Sequence, residues 1–248
     1  IWLATVVVSG ISYLSYLLKR YVFHESGTLV SGIIGGLYSS TATISVLARK
    51  SRKASEQEAT DYVAAMLLAV SMMFLRFMIL ILIFSREIFL SIYPYLLTMA
   101  VVAAIVAWFI HSRQKRPEDQ PAETEEDDSS NPLEFKVALI FAVLFVIFTF
   151  LTHYTLVYAG TGGLNLLSFV SGFSDITPFI LNLLQNTGSV AALIITACSM
   201  QAIISNIMVN MFYALFFAGK GSKLRPWILG GFGVVIACNL VLLLFFYI

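Results

Sequence analysis

Asp175 in "SGFSDITPFI" and Arg76 in "SMMFLRFMIL" are the acid and the base that this chain sets deep in apolar stretches. A carboxylate at bilayer depth can bind a cation or relay a proton, and a guanidinium there can hold that carboxylate or meet an anionic solute. Either charge costs at least ~3 kcal/mol at the centre of a membrane helix, so each requires a partner or a water-filled cavity. The two are each other's obvious candidates. The competing reading is a buried ion pair that only fixes packing.

Hydroxyl and amide groups gather near these charges. In "GIIGGLYSSTATISVLARK", Gly35 and Gly36 can end one half-helix, and Ser39, Ser40 or Thr41 can cap the next. In the second stretch Gly172 can end the incoming half and Ser174 or Asp175 can cap the outgoing one, ahead of Thr177. Pro178 then falls in the first turn, where its missing N–H costs little. Two helix N-termini facing each other form a small polar chamber with positive dipole ends. Farther on, Gln201, Ser205, Asn206 and Asn210 recur at spacings of four, one and four, a polar stripe that can line a pathway or hydrogen-bond between helices. Straight helices with small-residue packing faces remain the alternative for both broken stretches.

Enzyme chemistry is not expected. There is no HExxH, CxxC, Walker-type or GxSxG pattern, and no nucleophile–base pair is visible. His24, His111 and His153 lack metal-ligand spacing, while Cys198 and Cys238 lie in apolar runs where a thiol acts as a small hydrophobe. No cofactor is expected, and Asp175 is the one deep acid on which a metal site could be built.

The elements that must position these groups are membrane spans. With 59% hydrophobic and 12% charged residues and a mean hydropathy of +0.88, the chain reads as a polytopic membrane protein. A net charge of +1 gives no support to nucleic-acid binding. Runs 1–18, 62–84, 88–110, 137–158, 190–217 and 226–248 are each apolar enough to cross. Runs 27–48 and 163–185 are long enough but broken by Gly, Ser and Thr and, in the second, by Asp175 and Pro178. The chain opens on an apolar run with no basic region before it and no cleavage site after it, which reads as a helix of a longer protein and not as a signal peptide.

Between the halves, "HSRQKRPEDQPAETEEDDSSNP" has almost nothing to bury and reads as a disordered linker. It divides membrane repeat 1 (1–111) from membrane repeat 2 (135–248), with the linker at 112–134. Displaced by 136 residues, "GTLVSGIIGGLYSSTATISVLA" lies on "GLNLLSFVSGFSDITPFILNLL", with Gly36 on Gly172 and Thr41 on Thr177.

Charge decides how the repeats are oriented. If both broken segments cross, Lys and Arg divide almost evenly between the faces. If both turn back, every Lys or Arg outside the bilayer except Arg86 falls on one face, the arrangement expected when that face is cytoplasmic. The expected fold is therefore an all-α polytopic membrane protein of two inverted repeats, each three transmembrane helices plus one re-entrant hairpin. Eight full spans in two parallel repeats is the alternative. Paired breaks in matching positions of two halves point to a binding site in a transporter fold.

Several stretches in order, namely "GIIGGLYSSTATISVLARKSRK", "FLRF", "NPLEFKVALIFAVLF", "GGLNLLSFVSGFSDIT" and "SNIMVN", resemble an integral-membrane domain of unknown function. That domain is the "4010" family, found as the C-terminal half of MgtC/SapB-type bacterial proteins. The resemblance implies a bacterial inner-membrane setting, an MgtC-like membrane domain ahead of residue 1 and an association with magnesium homeostasis. In the family pattern a second acid stands where this chain has Thr177, and a Lys where it has Asn210. Both departures weaken a two-carboxylate cation site.

The expected function is that of a secondary transporter or ion-permeable protein for a small ion or solute. Ser39, Ser40, Thr41, Arg76, Ser174, Asp175, Thr177, Asn206 and Asn210 are its candidate binding residues. The alternative is a non-transporting membrane regulator or scaffold that binds another membrane protein. Expected partners are the lipid bilayer, the small ion or solute, and the MgtC-like domain or a second copy in a homo-oligomer. The linker and most basic loops are expected in the cytoplasm.

Overall fold

Lipid cannot satisfy backbone N–H and C=O groups, so apolar runs of this length must close their hydrogen bonds internally. All regular structure among the described residues is accordingly helical. The structure, a computed structural model, describes residues 27–52, 54, 56–113, 135–185, 191–219 and 222–247, with isolated positions before them. The first apolar run and the acidic linker lie almost entirely outside the described residues.

In chain order the helices are α1 (Thr28–Lys50), α2 (Glu56–Phe84), α3 (Arg86–Ser112), α4 (Phe135–Ser171), α5 (Ile176–Gln185), α6 (Ala192–Ala218) and α7 (Arg225–Tyr247). Among the described residues, six helices are long and apolar enough to cross a membrane: α1, most of α2, α3, Val143–Gly160 of α4, α6, and most of α7. The outer surface is apolar, with Trp108, Phe150, Val157 and Phe245 exposed, whereas Phe74, Phe145, Phe179 and Phe232 fill the core. The chain is thus a multi-pass membrane protein of helices.

Local chemistry sets the ends. Ser85 alone separates α2 from α3, and its hydroxyl accepts the Ile88 N–H while Glu87 faces the positive end of the α3 dipole. Within α4 the helix breaks at Gly160, whose φ of 57° and ψ of −149° are open in practice only to glycine.

Helix α1 is two half-helices meeting at Ser39, which has extended backbone angles (φ −158°, ψ 108°). A Cβ added to Gly35 would lie 2.4 Å from Thr43 Oγ1. In a continuous helix those residues would stand about 12 Å apart, so the chain folds back on itself. Its first half runs parallel to α2, with Gly32 against Ala65 and Gly36 against Ala69. After the second half, Arg52 donates to the Phe217 carbonyl and, at 3.1 Å, to the Phe216 carbonyl at the end of α6. Arg49 stacks 4.3 Å over the Phe217 ring.

Arg52 is four residues from the start of α2, and Asp61 near that start meets His111 at the end of α3 at 2.6 Å. The start of α2 and the ends of α1, α3 and α6 therefore share one end of the bundle, rich in basic residues. Helix α1 enters and leaves there, although it is long enough to cross.

The second broken segment approaches from the opposite end. Gly162–Ser171 of α4 runs parallel to α6: Asn165 accepts from Cys198, the Phe169 carbonyl from Ser205, and Gly172 abuts Ser205. Because α6 runs toward the basic end, this half-helix enters from the far end. After a turn at 172–175, α5 packs beside the first part of α4, where Phe179 meets Phe148 at 5.6 Å and Asn182 donates to Thr149 at 2.8 Å. The Gly172–Ser205 contact is the Gly36–Ala69 contact displaced by 136 residues.

One expectation is corrected. Gly35 and Gly36 do not end the incoming half of α1; they lie inside it, and the break falls at Ser39. Their missing side chains serve close approach, since a Cβ on Gly36 would sit 2.5 Å from Ala69 Cα.

Candidate functional site: the junction of two helix breaks

Arg76 lies two turns from the end of α2, with 9% of its surface exposed. Its Nη1 donates to the Tyr38 carbonyl at 2.7 Å and its Nη2 to Thr177 Oγ1 at 2.8 Å. Tyr38 immediately precedes the break in α1, where the interrupted ladder frees backbone carbonyls. Thr177 is the second residue of α5, just past the other break. A single guanidinium thus joins the two interruptions.

Asp175 does not form the expected ion pair with Arg76; no N···O contact of 4.0 Å or less connects them among the described residues. Its carboxylate instead accepts the Thr177 N–H at 2.9 Å and caps α5. It remains within electrostatic reach of the guanidinium. Far from being buried, Asp175 is exposed at the tip together with Phe173 and Ser174.

Of the hydroxyls expected to cap the second half of α1, Ser39 does so, accepting the Ala42 N–H at 3.3 Å. Ser40 is buried and Thr41 half-buried in the turn that follows, where the Thr41 carbonyl accepts from Ser45. At the second tip, Ser174 bonds back to the Ser171 carbonyl at 3.1 Å.

The polar stripe of α6 meets the other side of that tip. Asn206 Nδ2 donates to the Gly172 carbonyl at 3.2 Å and the Ser174 carbonyl at 3.5 Å, and Ser205 donates to Phe169 at 2.7 Å. Gly172 and Ser174 lie in the turn beyond the end of α4, whereas the Phe169 carbonyl also accepts the Gly172 N–H at 3.3 Å. Asn210 Nδ2 donates in turn to Asn206 Oδ1 at 3.2 Å, leaving the fully buried Asn210 Oδ1 with no partner among the described residues. Among the described residues no hydrogen bond joins Gln201 to the tip.

The structure therefore brings Arg76, Thr177 and the Ser39 break together, with Asp175 beside them. Asn206 and Asn210 support the second tip from behind. Sequence reading missed the Tyr38 and Gly172 carbonyls. These are backbone acceptors created by the breaks, and no side-chain pattern encodes them. Among the described residues no group of three or more His, Cys, Asp or Glu side chains could hold a metal.

A family described as "Domain of unknown function (DUF4010)" matches residues 6–218. A protein of Aquifex aeolicus (strain VF5), described as an uncharacterized protein, is 24% identical over 227 residues, covering 89% of this chain and 96% of the relative. No solved structure matches. The matched region takes in both breaks, Arg76 and the α6 stripe, and by that match the chain belongs to the DUF4010 family.

Proposed function

We propose that this protein is a secondary transporter or ion-permeable protein that passes a small ion or solute through the junction of the two breaks. The observation that carries the reading is the pair of hydrogen bonds by which Arg76 joins Tyr38 at one break to Thr177 at the other. Broken helices are tolerated at membrane depth where protein or water surrounds them, and in transporters such breaks form the site around which two halves rock. Support for two inverted repeats comes from the opposite approach of the two broken segments and from the packing contact repeated at the same displacement as the sequence. The basic end is the cytoplasmic one in this reading, in a bacterial inner membrane.

Asp175 is the protonatable or cation-binding group that couples transport. Asp175→Asn keeps the oxygen that caps α5 and removes the charge. In proteoliposomes the variant should remain folded and lose coupled flux, and full retained flux would refute the assignment.

A second reading has one observation in its favour: Phe173, Ser174 and Asp175 are exposed at the tip. Another membrane protein could cover them, making this chain a regulator or scaffold, with an MgtC-type domain linked to magnesium homeostasis as the partner. A cysteine placed at Ser174 separates the two. Modification by an aqueous thiol reagent in native membranes favours transport, whereas protection there that is lost on purification favours the scaffold.

A further inference from the structure

We infer that the solute held at the junction is an oxyanion, a carboxylate or phosphate group, and that Arg76 is the residue that binds it. The inference rests on the junction being the transport site and names its substrate class.

Charge around Arg76 is not balanced. Its two hydrogen-bond partners, a backbone carbonyl and a hydroxyl, are neutral, so they orient the guanidinium without neutralising it. Among the described residues Asp175 is the one carboxylate that acts on it electrostatically, beside the phenol of Tyr38, but that carboxylate stands at an exposed tip and offsets the positive end of its own helix, α5. The half-helix that Ser39 caps contributes a further positive end with no acid in its first turn, which runs Ser40, Thr41, Ala42.

A buried cation beside two helix starts, set against a single exposed carboxylate, leaves room for a monoanion. Among the described residues Arg76 donates two hydrogen bonds, while a guanidinium carries five N–H groups, so three are not used by these partners. Their planar fork matches the paired oxygens of a carboxylate or phosphate. A purely structural role needs only two neutral donors, which a glutamine amide supplies.

The test uses the full chain purified in lipid-free detergent. Its thermal midpoint is followed against sodium acetate and sodium phosphate at ionic strength held constant with sodium chloride. A second arm uses nanodiscs of phosphatidylcholine with and without anionic phosphatidylglycerol in phosphate-free buffer, which separates a free oxyanion from an anionic lipid headgroup. Stabilisation by several degrees in either arm is expected, abolished in Arg76→Gln and weakened about tenfold or more in apparent affinity in Arg76→Lys, which keeps the charge but not the fork.

Asp175→Asn should tighten oxyanion binding severalfold, a change of sign that a merely structural arginine would not produce. If Arg76→Gln does not fold, that direction decides: tightening supports the inference and loss overturns it. The inference is also overturned if no oxyanion stabilises the protein, or if the effect survives Arg76→Gln. Stabilisation by sodium or magnesium alone, abolished in Asp175→Asn, overturns it as well. Oxyanion binding without flux refutes the transport reading and leaves the binding site standing, whereas flux without oxyanion binding does the reverse.

Discussion

At Gly36 the absent side chain is what lets α1 lie against α2. An added Cβ would fall 2.5 Å from Ala69 Cα and 2.7 Å from its carbonyl oxygen, backbone atoms that cannot move without separating the helices. Gly36→Ala should therefore cost about 1–3 kcal/mol, measured as a lowered thermal midpoint in detergent. Gly230→Ala is the control: nothing lies within 4 Å of its added Cβ, so stability should hold or rise slightly through helix propensity.

The same scale shows where sequence reading reached its limit. Asp175 as a helix cap was legible because Ser-Asp ahead of an apolar run has local meaning, and the structure bears it out. Arg76 was legible as an unusual charge. Its partners were not, because they lie 38 and 101 residues away and one is a backbone carbonyl.

Among the elements, the fold-back of α1 was readable from the basic residues behind it, even though its length permits a span. The serine cap of the second half was readable, but the glycines ahead of it were misread as the end of the first half. Glycines attract attention as helix breakers, but here they serve packing, and a serine in extended conformation makes the turn. That turn predicts a coupling no continuous helix could show. Gly35→Ala should destabilise by driving its methyl into Thr43, whose Oγ1, Cγ2 and Cβ lie 2.4, 2.8 and 3.2 Å from the added atom. Thr43→Gly in the same chain should restore most of the loss, an interaction energy above about 0.5 kcal/mol in a double-mutant cycle. Additive effects would mean that the halves of α1 do not touch.

For the whole molecule, composition and run length were enough to read a helical membrane protein, because a span needs about 20 apolar residues and little else. How the helices pair was beyond reach. Packing pairs such as Tyr95 with Asn239, which joins α3 to α7, depend on the three-dimensional path of the chain, not on any local pattern. The polarity of the bundle, with one broken segment entering from each end, places the two tips where Arg76 can join them.

Sidedness tests that arrangement most directly. Glu58, just inside α2, and Gln185, at the end of α5, are both exposed. Each is replaced singly by cysteine in a chain whose Cys198 and Cys238 are changed to alanine, then labelled in intact cells with a membrane-impermeant maleimide. Position 185 should react from outside and position 58 only after the membrane is opened. Reaction of both positions from the same side would contradict the account.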